Sequence, residues 1–87
     1  MKVSVEISMY PLDANYIPPI QGFIDHLNEL SSIKVKTNSM STQVFGEYDA
    51  VMSALSIAMK KPFMEDRKIS MVLKIINSDL DYDYQNP

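Results

Sequence analysis

Val3, Val5, Ile7 and Met9 alternate with Lys2, Ser4, Glu6, Ser8 and Tyr10. A period of two marks a strand with one face in a core, and Pro11-Leu12-Asp13 ends it. The period then changes. Ile20, Phe23, Ile24, Leu27 and Leu30 fall at steps of three and four, the spacing of an amphipathic helix. Pro18 and Pro19 stand in its first turn, where proline is tolerated. Gly22 interrupts the helical pattern at a cost of about 0.8–1 kcal/mol against alanine, so it is expected to serve close helix–sheet contact. Ile33 to Thr37 and Ser41 to Glu47 read as two strands joined by the turn chemistry of Asn38-Ser39, hence a hairpin. Asp49 is placed to cap a second helix, whose buried side is Ala50, Val51, Ala54, Leu55, Ala58 and Met59 and which Pro62 stops. Ile69 to Ile76 supplies a fourth strand.

The order β-α-β-β-α-β is that of the ferredoxin-like α+β fold. It predicts one four-stranded antiparallel sheet with both helices on one face, the first and third strands central and the second and fourth at the edges. Residues 1–78 make a single domain. Residues 79–87 form an acidic tail with Asp79, Asp81 and Asp83 beside Tyr82 and Tyr84. The tail lacks a hydrophobic period and is expected to be a frayed, solvated end.

A sheet covered on one side leaves its other face open. With Val44 toward the core, Ser41, Gln43, Phe45 and Glu47 share that open face with Glu6, Ser8 and Tyr10. The opposite register would expose Thr42, Val44 and Gly46 instead. Lys34 and Lys36 lie on the non-core side of the second strand and discourage edge pairing. The fourth strand is apolar on both sides, with Ile69, Met71, Leu73 and Ile75 on one and Val72 and Ile76 on the other. Packing by the tail or a helix end could cover the second side. A second copy of the chain is the favoured cover.

Length and charge narrow the class. A chain of 87 residues buries only about 60–65% of its unfolded surface, so a subunit interface would add to a thin core. Its formal net charge is −3, with a single arginine, Arg67. Nucleic-acid affinity needs clustered basic residues, so a nucleic-acid partner is excluded, and an acidic chain suits a cationic small ligand better than an anionic one. Cysteine is absent and His26 is the one histidine, which leaves no zinc ligand set; His26 reads as a surface residue. No run approaches the length of a membrane span and no signal-peptide pattern opens the chain. The expectation is a soluble cytoplasmic protein without membrane partner, metal or cofactor.

Three segments carry a family likeness. Val5-Glu6-Ile7-Ser8-Met9-Tyr10-Pro11-Leu12, Thr37 through Asp49, and Met71-Val72-Leu73-Lys74-Ile75-Ile76-Asn77 together resemble the YkoF-like family of thiamine-binding proteins over roughly residues 2 to 77. The resemblance implies a ferredoxin-like fold and homo-oligomers, often tetramers built as a dimer of dimers. It also implies non-catalytic binding of thiamine or its hydroxymethylpyrimidine part, as carrier or sensor. It puts the ligand at the hairpin, with Thr37, Asn38, Thr42, Gln43, Phe45 and Glu47, and with Ser8 and Tyr10 beside it.

The chemistry agrees with that ligand. A carboxylate such as Glu47 can pair with an aminopyrimidine ring nitrogen. Thr37, Asn38, Thr42 and Gln43 can satisfy the amine and the remaining nitrogen. Phe45 or Tyr10 can lie against the flat ring. Each residue also has a plainer reading: Asn38 as a turn former, Glu47 as a strand-end carboxylate, the methionines as core filler. Ser41 and Thr42 have no adjacent base and are poor nucleophiles, so no catalytic residue is assigned and no enzyme is expected. The rival reading is an oligomeric structural or regulatory protein with another ligand or none.

Overall fold

A computed structural model describes residues 1–12 and 14–82 of the chain. Its elements are β1 (Lys2–Pro11), α1 (Ile17–Asn28), β2 (Lys34–Thr37), β3 (Thr42–Glu47), α2 (Tyr48–Phe63) and β4 (Ile69–Ile76). The strands form one antiparallel sheet in the order β2-β3-β1-β4. This is the expected ferredoxin-like βαββαβ fold, with β1 and β3 inside and β2 and β4 at the edges.

The core lies between one sheet face and the two helices. Val3, Val5 and Ile7 of β1 and Val44 of β3 meet Phe23 and Leu27 of α1 and Val51, Leu55 and Ala58 of α2. The pairing Val5↔Val44 fixes the register that sequence left open. Val44 faces the core, so Gln43, Phe45 and Glu47 share the open face with Ser4, Glu6 and Ser8. Lys34 and Lys36 stand on that face too, opposite Phe45 and Gln43.

Four local expectations are corrected. Asp49 does not cap α2: the helix begins at Tyr48, directly after β3, with Glu47 at the cap position in an extended conformation. Asp49 instead sits in the first turn, where its charge favours the helix dipole. Pro62 does not stop the helix but lies inside its last turn and is buried. The first helix ends at Asn28, before Leu30. Gly22 serves no close contact, because a Cβ there would have no atom within 4 Å. The tight glycine is Gly46, where a Cβ would stand 3.3 Å from Val51 Cγ2 and 3.6 Å from the Ser32 carbonyl oxygen. It lets α2 settle on the end of β3.

The tail departs most from expectation. Residues 77–82 turn back over the open face. The buried Ser4 hydroxyl donates to the Ser78 carbonyl at 2.7 Å and accepts from the Leu80 N–H at 2.8 Å. Asp81 then reaches the far edge strand, with its two carboxylate oxygens 2.8 Å from Lys34 Nζ and 2.8 Å from Lys36 Nζ. This strap explains why Phe45, on the open face, is only 7% exposed. Asp13, Asp83 and Tyr84, which sequence placed in the turn after β1 and in the tail, lie outside the described residues.

Leu27 is fully buried, so Leu27→Ala should cost about 2–5 kcal/mol of unfolding free energy. Gly22→Ala should instead stabilise by about 0.8–1 kcal/mol. Urea denaturation followed by circular dichroism measures both. The strap should respond to acid. Hydrogen bonds from Lys34 and Lys36 hold the Asp81 carboxyl below the usual carboxylate range. An unfolded aspartate titrates near about 3.9. The contact therefore contributes fully above that pH and is lost as pH falls through the lower folded value. The NMR shifts of the Leu80 and Ser4 amides should hold steady above about pH 5 and move only below about pH 4.

Candidate functional site

Strand lengths create the site. β1 has ten residues and β3 has six. Their ladder stops at Ile7↔Thr42, while β1 continues to Pro11 paired only with β4. Beyond Ile7 the β3 side of β1 therefore faces a gap. The hairpin turn closes the gap from one side and the middle of α1 floors it. The result is an open recess of about 180 Å³, lined by β1 at Ile7–Tyr10, by Ile20, Phe23 and Ile24 of α1, and by Thr37 through Thr42 of the hairpin. It is smaller than the 300–1,000 Å³ typical of a drug-sized ligand and suits a single flat ring.

The turn is held by one side chain. Asn38 Oδ1 accepts the N–H of Met40 at 2.8 Å and of Ser41 at 3.0 Å, and the Asn38 N–H donates to the Ser41 carbonyl at 3.1 Å. This Asx turn uses the carbonyl half of the carboxamide. The other half is an NH2 group, a donor only. Thr37 and Thr42 face each other across the hairpin with hydroxyls 3.5 Å apart. Both lie on the core side of the sheet, with Val35 and Val44. The recess thus combines an apolar floor, two threonine hydroxyls and one amide donor.

Of the residues that sequence assigned to binding, Ser8, Tyr10, Thr37, Asn38 and Thr42 line this recess, Thr37 and Thr42 from the core side and Ser8 and Tyr10 along the free edge of β1, at positions that alternate to the open face. The others do not. Gln43 and Phe45 lie on the opposite sheet face, in a second cavity of about 210 Å³ with Ser4, Glu6, Lys74, Ile76 and Leu80. The Lys36 ammonium stands 5.7 Å from the Phe45 ring centroid. Glu47 ends β3 at the far end from the turn, opposite Lys2. Its Oε2 accepts from the N-terminal ammonium at 3.0 Å, and that hydrogen bond holds its carboxyl below the usual range. Among the described residues, no carboxylate lines the recess. The nearest link to one runs through Ser41, whose hydroxyl donates to Glu6 Oε2 at 3.3 Å while Lys74 Nζ lies 3.5 Å from Glu6 Oε1.

Sequence reasoning did not find Ile20, Phe23 and Ile24 as site residues. Their helical spacing marked them as core, and only the length mismatch between β1 and β3 shows that part of this apolar face meets a gap. A third and larger hollow, about 400 Å³, runs between the helices past Gly22, Phe23 and His26. Among the described residues, no cluster of His, Cys, Asp or Glu could hold a metal ion, and no helix is long and apolar enough to cross a membrane.

Comparison with solved structures places the chain among similar small proteins. Hypothetical protein MJ1052 from Methanocaldococcus jannascii is 26% identical, with a TM-score of 0.75 over 94% of this chain and 84% of that one. Protein SP2199 from Streptococcus pneumoniae is 23% identical, with a TM-score of 0.82 over 92% and 90%. TM0486 from Thermotoga maritima, described as a candidate thiamine biosynthesis/salvage protein, is 19% identical with a TM-score of 0.76 over 86% and 82%. The last two show the shared fold. No curated protein is significantly similar to the chain. The sequence model of the thiamine-binding proteins matches residues 5–83, nearly the whole chain, and the chain belongs to the thiamine-binding protein family.

Proposed function

We propose that the chain binds the aminopyrimidine end of thiamine, or free hydroxymethylpyrimidine, in the recess between the hairpin turn, β1 and α1. One observation carries this reading: five residues assigned to binding from sequence, Ser8, Tyr10, Thr37, Asn38 and Thr42, line a single ring-sized recess with an apolar floor. The Asn38 NH2 donates to a ring nitrogen. The Thr37 and Thr42 hydroxyls accept from the exocyclic amine, and Phe23 with its neighbours packs on the ring. Glu47 takes no part, since it lies at the other end of β3. The role is non-catalytic, as a cytoplasmic carrier or sensor without cofactor.

Calorimetric titration with thiamine and with hydroxymethylpyrimidine tests this. Saturable binding near one ligand per chain is expected. Asn38→Asp keeps the acceptor for the two backbone N–H groups and removes the NH2. It should weaken binding at least tenfold, as an unpaired buried group costs about 1–3 kcal/mol. Thr42→Val should act similarly, and Glu47→Gln should leave affinity within about twofold. No heat with either compound, or equal affinity in the Asn38 and Thr42 variants, would overturn the assignment.

The working form is a homo-oligomer built through β4. This edge strand exposes Val72 (56%) and Ile75 (48%) on opposite faces, and a sheet edge with apolar residues on both sides is a template for another strand. The same observation favours the second reading, an oligomeric regulatory protein with a different ligand. Sedimentation at micromolar concentration should show a dimer or larger species that Val72→Lys dissociates. A monomeric wild type would remove this part of the proposal.

A further inference from the structure

The strap shows what the open face can recognise. It makes three kinds of contact, which together reach all four strands. Ser4 of β1 clamps the backbone of the strap, taking one carbonyl and one N–H two residues apart. Leu80 borders a hollow lined by Phe45 of β3 and Ile76 of β4 together with Ser4, Glu6, Gln43 and Lys74. Lys34 and Lys36 of β2 form a fork that grips the next carboxylate through both oxygens. Backbone clamp, mixed polar and apolar socket and cationic fork in a row are the parts of a peptide-docking groove, where main-chain bonds give affinity and pockets give specificity.

The cis occupant fits loosely. A hollow of about 210 Å³ remains around Leu80, which is itself 36% exposed. Lys34 is 60% exposed at its side chain, so its ion pair is screened by solvent and salt. Such a segment stays in place chiefly because it is tethered, at an effective concentration of order millimolar. A better-fitting segment can displace it.

We propose that this groove is a docking site for a short acidic segment of a partner protein, one aliphatic or aromatic anchor followed by a carboxylate, and that residues 78–82 hold it shut in cis. The charge of the fork sets the sign of the partner, and the unfilled hollow sets the size of its anchor. The site lies on the sheet face away from the recess and does not depend on the ligand reading.

The test uses full-length chains and a hexapeptide copying residues 77–82, followed by 15N NMR. In wild type the tail competes. In Asp81→Lys the fork repels the tail, and the free peptide should bind at least tenfold more tightly, shifting the Ser4 and Phe45 amides. A peptide with phenylalanine in place of the leucine should bind more tightly still. Adding Lys34→Gln and Lys36→Gln to the Asp81→Lys chain should abolish the gain, as should 0.5 M salt. Absence of saturable shifts in a folded Asp81→Lys chain, or equal binding of a scrambled peptide of the same charge, would overturn the proposal. If Asp81→Lys does not fold, wild type decides. Excess peptide should accelerate exchange of the Leu80 amide, and unchanged exchange at saturating peptide would refute the docking site.

Discussion

β1 is paired on both sides, and every other element is placed by what it does there. Its odd positions, Val3, Val5 and Ile7, are almost fully buried and bring both helices to one face. Its even positions, Ser4, Glu6 and Ser8, have no choice but the other face, because side chains alternate strictly along a strand. A one-residue slip of β1 would put three branched aliphatics in water and a glutamate in the core, so the register is held by the full apolar content of the domain. The same alternation delivers Ser4 to the strap and Ile7 to the edge of the recess.

Length does the rest. β4 follows β1 along eight pairs, to Pro11↔Ile69, whereas β3 leaves it after six. Had β3 and β2 continued, the gap beside Ser8–Tyr10 would be filled by strand, and Ile20 and Ile24 would simply be core. The hairpin turns early because Asn38 satisfies two backbone N–H groups that a longer ladder would otherwise have used. One asparagine therefore both ends the sheet and presents its amide to the space left behind. That placement explains why spacing alone leaves both the turn-forming and the binding reading of this position open.

The regular parts of the fold were legible because they follow a period. Alternation in β1, three–four spacing in α1 and the apolar run of β4 each identify an element and its buried face. Val44 was legible as core once a face had been chosen. The misreadings share a different cause. Gly22, Asp49 and Pro62 are single residues judged by habit, whereas their roles depend on which way the helix faces and where β3 ends. Glu47 falls in the hairpin segment that carries the family likeness, but the six residues of β3 carry it from the turn to the far end of the sheet. The strap had no period to detect. Its contacts with Ser4, Lys34 and Lys36 span more than forty residues, and only tertiary geometry brings them together.

The open face then poses the problem common to any one-sided sheet. Phe45, Val72 and Ile76 are more apolar surface than an isolated face should leave in water. The chain meets it in two ways at once. At the β3 end the strap brings Leu80 to the hollow beside Phe45 and anchors itself with charges. At the β4 end nothing within the described residues covers Val72, which stays 56% exposed. A cover that was meant only to hide apolar surface would have run along β4, where the exposure is greatest. Instead the tail leaves β4 immediately and crosses to the lysines of β2. Its path is set by the Ser4 hydroxyl and the cationic fork rather than by the apolar area available, and among the described residues it leaves the outer face of β4 uncovered.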